Sequence, residues 1–502
     1  MKVKQKLQEL KNYIKNMELL DQATGIIYWD MRVGMPKKAV EQRSELIGYL
    51  SSEGYKLATS NKVKRFIDFF ECYMDQLTVV EKAMINELKK KYEDVKKIPE
   101  DRYKEFVIAC SKSEAAWEAA KEKGDFEIFR PHLEKIVDFQ REFIEYKGYI
   151  DNKYDCLLDD YERGITVKRL DEVFGELRDA IVKLLNKVKG SKIKIEDSFL
   201  KEKFTKEDQE EFGKFILEEM GYDFQAGRID ESVHPFTINF GNRDVRITTH
   251  YYEYDFRSAL FSSIHEGGHA IYEQDIPDEL IGTGLATGVS MGIHESQSRF
   301  YENIIGRSKG FWKVFFPEAQ KRFPQFRDIS LEDFYKAINI VEPSLIRTEA
   351  DELTYSLHII IRYEIEKALI NGIIEVKDLP RVWNEKYKEY LGVEPSNDSE
   401  GVLQDMHWSD GSFGYFPSYA LGNLYGAQML NKMLEDLPNI YEEIENGNLG
   451  VIHRWLNNNV HKYGSVYKPA ELIKIITGQE LTAKYFIEYL NKKYSDIYQL
   501  DY

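Results

Sequence analysis

Residues 264–270 read Ile264-His265-Glu266-Gly267-Gly268-His269-Ala270. Two histidines four positions apart share one face of a helix, so both imidazoles can reach one metal ion with Glu266 beside it. The chemistry that needs this pattern is metal-assisted hydrolysis. Two neutral imidazoles and a third ligand hold zinc and leave one position open for water. The ion lowers the pKa of that water to about 7, and an adjacent carboxylate takes its proton as attack begins. The motif does not set the third ligand. Between His269 and Glu302 the candidates are Glu273, Asp275, Asp278, Glu279, His294, Glu295 and Glu302. His294 and Glu295 stand side by side in a second helical stretch, residues 288–305, and both are acceptable ligand types. The variant with an extended motif is excluded, because Tyr272 and Asp275 occupy its Gly and third-His positions.

These residues need a scaffold. Phe256, Leu260, Phe261, Ile264 and Ile271 recur at helical spacing, so the motif sits on a helix predicted over residues 256–276. Gly267 and Gly268 oppose that helix, each costing up to about 1 kcal/mol relative to Ala. Close approach of the substrate or of a neighbouring helix would account for them. The first 220 residues read as helix after helix. Leu7, Leu10, Tyr13, Ile14, Met17 and Leu20 form one apolar stripe, and similar stripes run through residues 44–70, 79–95, 102–121 and 126–146. Thr205 with Asp208, and Ser330 with Asp333, mark helix starts. One stretch breaks the period. Thr237–Phe240 and Val245–Thr248 alternate around Gly241-Asn242, which predicts a β-hairpin. It is either an edge that receives an extended peptide by strand addition or a small structural ribbon.

The chain has 502 residues and a formal net charge of −17. That balance argues against a nucleic-acid binder or a binder of anionic membranes, but leaves room for a local positive pocket. At about 150 residues per domain the length suggests roughly three domains. No linker or repeat supports that division, so residues 1–502 are expected to form a single helical body with a catalytic segment at 230–425. The cysteines, Cys72, Cys110 and Cys156, are odd in number and far apart, which fits free thiols. No signal peptide and no membrane span is read, so the expected location is cytoplasmic. Seven of the ten histidines fall between His234 and His407, so the chemistry concentrates there.

Several further segments stand in order along the chain. They are Trp29-Asp30, Met35-Pro36, His234-Pro235-Phe236, Asp244-x-Arg246-x-Thr248 and His294-Glu295-Ser296-Gln297. After these come Ile346-Arg347-x-x-Ala350-Asp351, Gly401-x-x-Gln404-Asp405-x-His407-Trp408 and Gly414-Tyr415-Phe416-Pro417-x-Tyr419. With the His265–His269 motif they resemble the thermostable zinc metallocarboxypeptidase family of the carboxypeptidase Taq type, related in fold to neurolysin and angiotensin-converting enzyme. The resemblance implies an all-α, mainly helical zincin of neurolysin-like architecture. Two helical lobes would flank a deep groove, with a small β-sheet beside the metal. The implied activity is release of single amino acids from peptide C-termini with broad specificity. The implied cofactor is one Zn2+ per chain, with Co2+ as a possible substitute, and the implied assembly is a homodimer.

Carried over residue by residue, the resemblance makes His265, His269 and Glu295 the metal ligands and Glu266 the general base. His407 and Tyr415 would polarise the tetrahedral intermediate, with Tyr419 as substitute for Tyr415. Arg347 and Arg246 are the candidates for a free substrate carboxylate, because a planar guanidinium can pair with both oxygens. His234 and Gln404 are further substrate-binding candidates from the same motifs. One departure is His250, which stands where the family usually shows Arg. His358 reads as a satisfied core histidine, Trp29-Asp30 as structural, and His132, His453 and His461 as ordinary surface or core residues. Two rival readings remain. One is an endo-oligopeptidase or dipeptidyl carboxypeptidase on the same fold. The other is a non-enzymatic, metal-stabilised helical scaffold, against which Glu266 counts, since a structural site needs no base.

Overall fold

The computed structural model describes residues 2–500. Helices make up most of it, and six of them, with one sheet, concern the site. The first is α1 (Lys2–Val33). Its stripe of Leu7, Leu10 and Ile14 packs with Val63, Phe66, Phe70, Met84 and Ile85 in a small N-terminal cluster apart from the main core. The stripe expected over 44–70 is two helices, Val40–Ala58 and Asn61–Glu71. The break falls where the Ser60 hydroxyl accepts the Val63 N–H, a cap competing with helix continuation. Then α2 (Lys206–Met220) starts at Thr205, whose hydroxyl accepts the Asp208 N–H, so the chain begins a helix where its capping residue stands.

The hairpin forms as β2 (Thr237–Asn239) and β3 (Val245–Thr249), paired antiparallel. A third strand, β1 (Ile229–Glu231), lies parallel to β3 on its other side, giving the order β1-β3-β2. Its three residues carry no alternation long enough to read as a strand. Val245 and Ile247 are buried, and β2 is left at an edge. The motif helix α3 (Phe256–Gln274) is capped by Asp255, whose side chain accepts the Arg257 N–H. α4 (Met291–Arg299) starts at Ser290 and runs on into a π-helical turn, Phe300–Ile305. Such wide turns often sit at functional sites. α5 (Glu352–Ile370) is capped by Asp351 and buried along nearly its whole length. α6 (Pro417–Asp436) opens on a proline at its first position, where the missing N–H is harmless.

The glycines of the motif have a packing reason. A Cβ on Gly267 would lie 2.4 Å from Leu217 Cδ2 on α2, and one on Gly268 would lie 2.6 Å from the Gln297 carbonyl oxygen on α4. Neighbouring helices therefore claim both positions. On α6, a Cβ at Gly422 would lie 2.4 Å from Glu295 Cγ. α3, α4 and α6 thus meet almost backbone to backbone. The core around them is a large apolar cluster that includes Phe261, Ile264, Ile293, Phe300, Leu421 and Tyr425. At the far end of α3, Asp275 bonds both His453 (2.8 Å) and His461 (2.7 Å), which ties the C-terminal segment to the motif helix. Among the described residues no helix is long and apolar enough to cross a membrane.

Gly422→Ala should overpack the α4–α6 contact and cost about 1–3 kcal/mol. Denaturant unfolding together with metal content of the purified variant checks this. Unchanged stability and unchanged metal would contradict the packing described.

Candidate metal centre

His265 and His269 project from one face of α3, and Glu295 projects from α4 toward them. Each offers one ligand atom, and the three atoms lie within 4.8 Å of one another. Glu295 Oε2 is 3.7 Å from His265 Nε2 and 3.5 Å from His269 Nε2. Both rings therefore turn Nε2 inward, and both Nδ1 atoms have partners behind them. His265 Nδ1 donates to Glu302 Oε2 at 2.8 Å. His269 Nδ1 lies 2.6 Å from His294 Nδ1, and His294 Nε2 lies 2.8 Å from Glu273 Oε1. A carboxylate can only accept, so His294 donates to Glu273 and accepts from the His269 Nδ1–H. That tautomer leaves the His269 Nε2 lone pair for a metal. His294 thus stands behind the ring of His269, and Glu302 does the same for His265. Such partners orient ligating rings and raise their basicity.

The electrostatics favour an ionised Glu295 and a neutral His269, while, against its burial, Glu295 and Glu302 raise His265 above its ordinary value. Burial would raise the Glu295 carboxyl, but Arg299 and the two imidazoles outweigh it and hold the group well below the usual carboxylate range. Arg299 Nε donates to Glu295 Oε1 at 2.7 Å, and Arg299 Nη1 donates to Glu302 Oε2 at 3.2 Å. Burial opposes ionisation of Glu302 too, yet Arg299 and His265 bring it down to about 2. His269 is pushed down to about 4 by burial, so its ring is neutral at pH 7. Two imidazoles and one carboxylate leave room for a water or substrate oxygen, which is the donor set of a catalytic rather than a closed structural zinc site. The residues present therefore fit a divalent metal.

Glu266 adjoins this group. Burial pushes its carboxyl up, against the pull of His265 and a hydrogen bond from Thr237. The Thr237 hydroxyl donates to Glu266 Oε2 at 2.7 Å, so the sheet edge fixes the carboxylate. His407 Nε2 lies 3.3 Å from the Tyr419 hydroxyl, while its Nδ1 is buried with no protein partner. Burial lowers His407 to about 4 and raises the Tyr415 phenol to about 12. The rings of His407, Tyr415 and Tyr419 pack mutually, and both tyrosines feel the Glu295 charge.

The remaining expected residues lie as follows. Arg347 is 7% exposed. Its Nε and Nη2 bond Asp405 Oδ1 at 3.0 and 2.9 Å, its Nη1 donates to the Tyr355 hydroxyl, and it lies over the Tyr419 ring. Arg246 pairs with both oxygens of Asp244 at 2.7 Å and lies over Phe240 and Trp29. The Gln404 amide is committed within the protein. Its oxygen accepts the Arg347 N–H and Arg362 Nη2, and its nitrogen donates to the Leu345 carbonyl. His234 is exposed. His250 contacts the Ser232 carbonyl and the Tyr252 ring. His358 is buried against the Tyr387 hydroxyl, and Trp29 packs on Phe236. The sequence reading assigned no role to Arg299 or Tyr355, and took Thr237 only as a strand residue and Asp405 only as part of a motif. Arg299 had a signal, since it follows Glu295 by four positions and precedes Glu302 by three. Thr237 had none, because its bond to Glu266 spans two elements.

Comparison with known proteins follows the same lines. The family model described as carboxypeptidase Taq (M32) metallopeptidase matches residues 9–494. Carboxypeptidase 1 of Bacillus subtilis is 51% identical over 493 residues, covering 98% of each chain. Thermostable carboxypeptidase 1 of Thermus thermophilus is 39% identical over 502 residues, again 98% of each. Among solved structures, the M32 carboxypeptidase from Deinococcus radiodurans superposes with a TM-score of 0.96 at 34% identity, covering 99% of this chain and 100% of that one.

The ligand assignment separates from its support by metal analysis. Glu295→Ala should lose bound metal, while His294→Ala should keep the site and weaken affinity about 10–100-fold. Full occupancy with undiminished affinity in Glu295→Ala would remove it from the ligand set.

Proposed function

Because this chain belongs to the carboxypeptidase Taq (M32) metallopeptidase family, it is a metallocarboxypeptidase, and we propose that it uses zinc to release single C-terminal residues with broad specificity. The observation that supports this most is the convergence of His265 Nε2, His269 Nε2 and Glu295 Oε2, with Glu266 held beside them by Thr237. Zinc, or cobalt in its place, would be held by those three residues and would supply an acidified water and a polarised carbonyl. Glu266 takes the proton from the attacking water and passes it to the leaving amine. Burial raises its carboxyl above the ordinary value, the direction that suits a group which accepts and then returns a proton.

His407 and Tyr415 donate to the developing oxyanion, a role worth a few kcal/mol per donor. The partnerless His407 Nδ1 and the protonated Tyr415 phenol favour this pair. Tyr419 bonds His407 and is its alternative partner in the role. Arg347 meets the substrate carboxylate, oriented by Asp405 and Tyr355, with Gln404 fixing its backbone. Arg246 is the second candidate and, like Arg347, is already paired with a carboxylate, here both oxygens of Asp244. The peptide backbone adds to the β2 edge near His234. Recognition through a carboxylate and a backbone explains broad tolerance of side chains. A homodimer and a cytoplasmic location complete the reading. Cys72, Cys110 and Cys156 are free thiols, as a reducing compartment would keep them.

Glu266→Gln should retain metal and lose about 10²–10⁴-fold in kcat. Near wild-type turnover would remove it as the base. Peptides with a free C-terminus should give a ladder of products shortened one residue at a time, and amidated peptides should be poor substrates. Equal cleavage of both would favour an endopeptidase instead.

A further inference from the structure

The loop from His407 to Tyr415 carries both proposed oxyanion donors but has no helix or strand of its own. The His407 ring makes one side-chain hydrogen bond, to the Tyr419 hydroxyl, and otherwise packs on Tyr415, Phe416 and Tyr419, two of which lie at the end of the same loop, so its position depends on the loop backbone. Behind the loop lies a carboxylate that the proposed mechanism does not use. Glu366, on α5, is 0% exposed. Its Oε1 accepts the Trp408 indole N–H at 2.7 Å. Its Oε2 accepts the Gly414 N–H at 2.9 Å and the Tyr154 hydroxyl at 2.5 Å. Trp408 follows His407, and Gly414 precedes Tyr415. One turn earlier on α5, Arg362 donates to Asp405 Oδ2 and Gln404 Oε1, so the same helix also holds the approach to the loop.

We propose that Glu366 is a positioning residue that sets His407 and Tyr415 relative to each other by clamping both ends of the loop between them. The inference rests on the reading of those two residues as oxyanion donors. A buried carboxylate is costly unless its oxygens are satisfied, and here three donors satisfy them, two from the ends of this loop and one from Tyr154. Two of the donors, an indole N–H and a backbone N–H, cannot accept. Only a group with acceptors at both positions can hold them together. An amide has one. Turned toward Gly414 and Tyr154, its NH2 opposes the Trp408 N–H, and turned toward Trp408, it opposes the Gly414 N–H. Glu366→Gln therefore releases one end of the loop with almost no change in volume.

The test is a mutant cycle on the metal-loaded, full-length enzyme, reading kcat, KM and metal content with a free C-terminal peptide. Alone, Glu366→Gln should lower kcat about 10–100-fold, the scale of an ångström-level misplacement. KM and metal content should stay near wild type. In a His407→Gln, Tyr415→Phe background the same change should cost less than about twofold, because the residues it positions are gone. An equal loss in both backgrounds overturns the proposal and marks Glu366 as merely structural. Wild-type kcat in the background chain overturns the oxyanion reading and this inference with it. If Glu366→Gln does not fold, Trp408→Phe, which deletes one donor and keeps an aromatic ring, carries the same cycle. It should lower kcat several-fold in the wild-type background and leave it unchanged where His407 and Tyr415 are replaced. Additive losses would overturn the proposal.

Discussion

Of the three residues that could hold a metal, two come from α3 and one from α4, and their donor atoms lie within 4.8 Å of one another. Side chains of ordinary size between those helices would hold the backbones apart. Gly268 removes that obstacle, bringing α3 against the Gln297 carbonyl, and Gly422 lets α6 close over Glu295 from the other side. The propensity cost of glycine inside a helix is thus accepted for a geometric reason. Packing around this crossing is aromatic and aliphatic, and much of the main core converges on it.

Close approach concentrates charge, and the surroundings decide the sign each group carries. Glu295 and Glu302 are kept ionised by Arg299, which reaches both from one α-helical turn. His269 is kept neutral by burial, with its free tautomer set through His294 and Glu273. Two further carboxylates answer to different partners. Glu266 is raised by burial and bonded by a hydroxyl, whereas Asp405 is held low by Arg362 and Arg347, whose attraction exceeds the opposing effect of burial. The −17 chain therefore encloses a locally cationic pair, Arg347 and Arg362, on a single carboxylate.

The site also depends on pieces with little regular structure. β2 is three residues long and contributes the Thr237 bond to Glu266, and the His407–Tyr415 segment is a loop pinned from α5. Loops over a rigid scaffold commonly carry function. Here the scaffold is α3, α5 and α6, and the short pieces are held to it by buried polar bonds.

Local chemistry was legible in the sequence. The His265–His269 spacing, the apolar period of the motif helix, the hairpin turn at Gly241-Asn242 and the Thr205 and Ser330 caps all depend on neighbours within a few positions. The ordered motifs carried the family. Other features required the fold. The spacing left His294 and Glu295 open and the resemblance chose Glu295; the fold adds that Glu295 faces the two imidazoles while His294 lies behind His269. The reason for Gly267-Gly268 lay in α2 and α4, far along the chain. The protein partners of Arg246, Arg347 and Gln404, namely Asp244, Asp405 and Leu345, were visible only in the fold. The bonds of Thr237 to Glu266 and of Glu366 to the His407–Tyr415 loop were not legible in the sequence, because their partners are distant in the chain and are brought near only by folding. A sequence determines what a helix face offers; which of those groups are still free to bind is decided by the elements that close over it.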